Sequence, residues 1–133
     1  MGFDISAYNT DKGIKTKIDK YGDKVDNFDS LKEIVYHRAY MGGFRMMTEQ
    51  GYNWFELLNA DDCYGGVSGN GTAKVIKLSF LKNALKVLLN HKPTNLANNN
   101  EFNDRKPRLK EFMEKCINWC EKNKKKGILI YFG

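Results

Sequence analysis

The stretch NADDCYGGVSGNGTAK, residues 59–74, concentrates residue types that do chemistry: two adjacent carboxylates, a thiol, four glycines and a lysine. Glycines such as Gly65, Gly69 and Gly71 let backbone N–H groups approach an anion closely, and Lys74 and Lys77 lie just ahead of an apolar helical run. Neither recurring phosphate fingerprint is present. No Lys-Ser/Thr pair follows the last glycine, and Gly69-Asn70-Gly71 lacks a third glycine at the required spacing. The plainer alternative is a connection between two helices whose glycines supply positive φ. Asp61 and Asp62 could hold a hard cation, but Cys63 and Gly65 break the alternating oxygen series that calcium loops use. A local bond to backbone N–H suits them better. Cys63 as a nucleophile needs a base, and only His37 and His91 exist. The neighbouring aspartates would raise its pKa, the wrong direction. No metal site is expected, and no cofactor.

A second constellation is HRAYMGGFR, residues 37–45. Arg38 and Arg45 flank Tyr40 and Phe44 around Gly42-Gly43. Guanidinium forks beside aromatic rings suit a nucleotide's phosphate and base. The same aromatics could equally be core, with the glycines turning a strand into a helix. Cys116 and Cys120 stand one helical turn apart but fall in an apolar stripe, and no second pair with zinc spacing exists. They read as buried thiols.

The elements that must position these residues follow from patterning. GFDISAY (2–8) alternates Phe3, Ile5 and Ala7 against Asp4, Ser6 and Tyr8, which predicts a strand with one buried face. A hairpin through Ile14–Ile18 is weakly patterned. LKEIVYHRAY (31–40) reads as a second strand, and GGFRMMTEQG and YNWFELLNA as short helices. Leu78, Leu81, Leu85, Leu88 and Leu89 lie on one helical face. Leu109, Phe112, Met113, Cys116, Ile117 and Cys120 form a second stripe, with Pro107 placed to open that helix and Gly127 to cap it. TNLANNNEFND between them reads as a surface loop. GILIYF at the C-terminal end is continuously apolar, as a strand covered on both faces should be. Strands at both ends with helices between predict an α+β fold in one domain, 1–133: a small sheet with two longer amphipathic helices and one or two short ones packed on it.

Composition excludes several classes. At 133 residues, 41% hydrophobic and 29% charged, the chain is an ordinary globular domain that needs no disulfide framework. No apolar run approaches the roughly 20 residues that cross a bilayer, and MGFDISAY lacks the pattern of a secretory signal. Three cysteines, an odd number, predict a reducing, cytoplasmic setting. Charge is uneven. The net charge is +6, and residues 105–126 alone carry nine Lys/Arg against three glutamates, so the remainder is neutral. That excess is either a solvated helix face or an electrostatic footprint for an anionic partner.

Several segments in order resemble a family of small phage and prophage proteins. Those open with Met-Gly-Leu-Asp-Ile and an aromatic, carry an Arg before an aromatic–glycine turn, then an acidic-Cys-x-Gly loop, and close on a Gly-led strand. The matching positions are Gly2, Asp4, Ile5, Tyr8; Arg38, Tyr40, Gly42; Asp62, Cys63, Gly65; and Gly127 and Phe132. The chain departs at Tyr64 and at Met46-Met47. The resemblance implies no enzymatic activity. It implies an accessory host-interaction or anti-defence protein acting by stoichiometric binding. Two modes of binding then compete. In one, Arg38, Tyr40, Gly42, Arg45, Asp62, Gly65, Gly69, Gly71 and Lys74 hold an anionic small molecule such as a nucleotide. In the other, Lys110, Lys122, Lys124, Lys125 and Lys126 contact nucleic acid or an acidic host-protein surface. No membrane is involved in either, and a pocket shared across a homo-oligomer is compatible with both.

Overall fold

The computed structural model describes residues 2–40, 53–66, 68–90 and 96–133, without the side chains of 2, 39, 40 and 96–105. The expected short helix after Tyr40 and two candidate residues, Gly42 and Arg45, lie outside the described residues. Along the chain come β1 (Gly2–Tyr8), β2 (Thr16–Ile18), β3 (Lys24–Asp26), β4 (Glu33–Tyr40), α1 (Trp54–Leu57), a 3-10 turn (Asp61–Cys63), β5 (Thr72–Lys77), α2 (Leu78–Asn90), α3 (Leu96–Lys122) and β6 (Gly127–Phe132). The fold is α+β. A four-stranded antiparallel sheet has the order β4-β1-β6-β5, and β2 and β3 form a separate two-stranded ladder. The two terminal strands therefore sit at its centre.

Alternation settles which face is buried. Phe3, Ile5 and Ala7 of β1, Val35 and His37 of β4, and Ile128, Ile130 and Phe132 of β6 all point into the helical layer. Phe55 of α1 packs on Phe3 and Phe132, with ring centroids 5.6 and 5.8 Å apart, an arrangement that adds about 1 kcal/mol per pair beyond area burial. From α3, Leu109, Phe112, Met113, Cys116, Ile117 and Cys120 are all buried, so the stripe read from spacing is the one used. In α2 the buried line is Leu81, Ala84 and Leu88, and Leu89 is left 48% exposed on its flank. On the second face of β6, Leu129 is fully buried and Tyr131 half-buried, with Phe28, from the segment bearing the β2–β3 ladder, packed edge-on to Tyr131 at 5.9 Å. Ser6, expected to face solvent, is buried because Tyr36 and Tyr131 flank it on the neighbouring strands.

Four local expectations are corrected. TAKVIK, read as part of the connection to a helix, is the edge strand β5, paired along its length with β6. The connection therefore does not join two helices. Part of the asparagine-rich stretch is helical, since α3 begins at Leu96 and Pro107 lies inside it rather than at its first turn. Proline lacks the N–H that would reach the carbonyl four residues back, so one rung of the ladder is missing there. Gly127 does not cap α3; it opens β6, where its missing Cβ avoids Val75 and the Ile76 carbonyl. The cap is made by Lys124, at φ 56, with Lys125 N–H donating to the Cys120 carbonyl and Lys124 N–H to that of Glu121. These are the two bonds of a Schellman motif with a non-glycine in the left-handed position. Lys124→Gly removes the Cβ penalty and is expected to stabilise the fold by about 1 kcal/mol, read as a raised urea midpoint at unchanged slope.

Candidate anion-binding site

The glycine-rich loop, which by its residue types could cradle a phosphate, has five of its amides occupied. Gly65 N–H donates to Ser68 O, Gly69 N–H to Gly133 O, Asn70 N–H to Cys63 O and Gly71 N–H to Phe132 O, at 2.8–3.0 Å. Thr72 N–H donates to the Asn70 side chain at 3.2 Å, and the Asn70 amide in turn donates to Asp62 O. The loop is thus laced to itself and to the end of β6, and those five amides form no cradle. Lys74 is engaged as well. Its ammonium donates to Asn59 O at 2.7 Å and to the Asp62 carboxylate at 2.9 Å. Asn59, at φ 55, follows the C-terminal end of α1, where a cation complements the negative end of the helix dipole. The hydrogen bond and charge of Lys74 lower the Asp62 carboxyl pKa. Lys74 is a brace between β5 and the loop.

Arg38 stands on β4 opposite Asp4, its guanidinium 3.6 Å from that carboxylate, which also accepts the Tyr36 hydroxyl at 2.6 Å. Gly133 N–H donates to Asp4 O, and the Gly133 carbonyl accepts from Gly69 N–H. Arg38 and the glycine loop therefore share one end of the sheet, with two strands between them and roughly 14 Å apart. By register Tyr40 pairs with Gly2 at that same end.

The thiols are built into the interior. Cys63, Cys116 and Cys120 are free and buried. Burial, with a contribution from Asp62, raises the Cys63 pKa, which opposes thiolate formation. Burial pushes Cys116 well above the thiol range and Cys120 to about 11, with Asp11 and Glu121 adding to the latter. Among the described residues no cluster of His, Cys, Asp and Glu could hold a metal. A pH effect follows. The unfolded thiols deprotonate near about 8.5 while the folded ones keep their protons, so the folded state binds more protons above that pH and stability falls as pH rises. Each of Cys116 and Cys120 should cost about 1 kcal/mol at pH 9.5 relative to pH 7.5, measured by urea midpoints. Alanine at both positions lowers stability overall yet shrinks that difference.

The basic corner is different: most of its charges are left open among the described residues. β5 ends at Lys77, α2 starts at Leu78, and β6 starts just after Lys126; the β5–β6 register pairs Lys77 with Gly127. Leu78 N–H donates to Lys126 O at 2.8 Å, which joins the two strands at this point. Lys77, Leu78, Ser79, Lys82 and Lys126 line an open cleft of about 470 Å³. Lys82 lies 3.9 Å from Glu121, and Lys125 lies 3.8 Å from Asp11. Lys77, Lys122, Lys124 and Lys126 make no ion pair among the described residues. Lys110 does not belong with them. It pairs with Glu114 at 3.5 Å on α3, and the twelve residues to Lys122 rise roughly 18 Å. Lys77, Ser79 and Lys82 join the corner in its place. Sequence reading missed Lys82 and Ser79, because only the β5–β6 pairing carries them to the lysines of 122–126.

The chain shows no significant match to any family model, curated protein or solved structure.

Proposed function

We propose that this is a non-enzymatic accessory binding protein, of the phage type its sequence resembles, that engages a polyanion through the basic corner. One observation carries the reading: three lysines line one cleft, and the run Lys122–Lys126 continues from its rim with three of its four ammonium groups unpaired among the described residues. Lysines spread along a ridge suit the repeating phosphates of nucleic acid, whose contacts are electrostatic and need no apolar centre. An acidic protein surface is disfavoured, since stable protein interfaces are built around exposed aromatic or aliphatic anchors. The exposed large hydrophobics among the described residues are Ile18, Tyr21, Tyr36 and Leu89, none of them lining the cleft. A nucleotide pocket at the Arg38 end of the sheet draws less support, because Lys74 and five of the loop amides are spent within the fold. No helix among the described residues is long and apolar enough to cross a membrane.

Binding of a labelled single strand, followed by anisotropy, tests this. Contacts to three to five phosphates predict a log–log salt slope of about −2 to −3.5 between roughly 50 and 200 mM. Absence of binding at the lowest salt would overturn the reading.

A further inference from the structure

We infer that the cleft between β5 and α2 is a seat for a terminal phosphomonoester on a nucleic-acid strand, held by the Lys77 and Lys126 ammonium groups with the Ser79 hydroxyl. The inference rests on the polyanion-binding reading and names the group that the corner receives. Charge is the first reason. Lys77, Lys82 and Lys126 line the cleft, and Glu121 beside Lys82 offsets one of the three. The two remaining positive charges match a phosphomonoester, which is a dianion above its second pKa of about 6. An internal phosphodiester carries a single charge and would leave one ammonium uncompensated.

Room is the second reason. The volume of about 470 Å³ exceeds what a phosphate needs and takes its sugar as well, against Leu78 and the methylene stems of the lysines. Lys122, Lys124 and Lys125 lie beyond the cleft, where the next phosphates along the strand would pass.

The experiment compares one short labelled single strand carrying a 5′-phosphate, a 3′-phosphate or hydroxyls at both ends. One phosphorylated form is expected to bind about tenfold tighter than the hydroxyl form, as two charge-assisted contacts to one group allow. That preference should disappear in the double variant Lys77→Gln/Lys126→Gln and fade below about pH 6 as the phosphate takes up a proton. Equal binding of all three strands would overturn the seat and leave the polyanion reading standing. No binding of any strand would remove both. Displacement of the phosphorylated strand by micromolar free nucleoside monophosphate would overturn assignment to a strand end and give the cleft to a mononucleotide. Far-UV circular dichroism of the double variant checks that it folds, as exposed or half-exposed lysines should allow.

Discussion

Gly69→Ala is expected to destabilise the protein by about 3 kcal/mol, although residue 69 lies in what reads as a plain glycine loop. A Cβ built there would stand 2.5 Å from both the carbonyl carbon and the oxygen of Phe132, and 2.9 Å from its Cβ. Carbon atoms do not approach backbone that closely, so one of the two segments must move. Neither is free to do so. Gly69 N–H is bonded to Gly133 O, Gly71 N–H to Phe132 O, and Phe132 is fully buried against Phe3 and Phe55. With a urea slope of about 2 kcal/mol/M, the midpoint should fall by roughly 1.5 M at unchanged slope. Gly13→Ala serves as the control. Nothing lies within 4 Å of a Cβ at Gly13, so the change should stay within about 0.5 kcal/mol. A neutral Gly69→Ala would mean that the loop can lift off β6, and its amides would again be available to a ligand.

Replacing Lys122, Lys124, Lys125 and Lys126 together by glutamine should lower affinity for single-stranded nucleic acid on the order of a hundredfold at low salt. It removes four of the six net positive charges of the chain. The salt slope should become shallower by about two to three, since each phosphate of a single strand that is no longer neutralised takes about 0.7 from it. Stability should move little, because Lys125 is the one member with an ion pair among the described residues, at 3.8 Å and only partly buried. Lys110→Gln should be nearly silent, given its partner Glu114 and its distance along α3. The two variants separate a defined corner from a general effect of basic charge. A loss shared equally between them would place binding along the whole of α3.

The strands at both ends of the chain and the buried stripe of α3 could be read directly from the residues. Phe3-Ile5-Ala7 alternates at the period of a strand, and Leu109 to Cys120 repeats at the period of a helix. Each pattern is local, and burial of the apolar face is the force that forms the element. β6 was equally plain, since only a central strand can keep six apolar residues dry. β5 was not. Thr72–Lys77 carries two lysines and a weak pattern, and it is a strand because β6, fifty residues on, offers its edge for pairing. The cap at Lys124 escaped for a related reason: glycine is the common choice for left-handed φ, yet the two carbonyls at the end of α3 select the residue at the right distance.

The candidate site divides along the same line. The lysines of 122–126 and the thiols of the apolar stripe were set by residue type and spacing. What those spacings could not convey is that Gly69 and Gly71 spend their amides on the end of β6, that Lys74 braces Asp62 and Asn59, and that Lys77, Ser79 and Lys82 meet Lys126 around one cleft. All three depend on which strands pair across long separations. Such pairing is decided by the closure of the whole core, where no single segment carries the information.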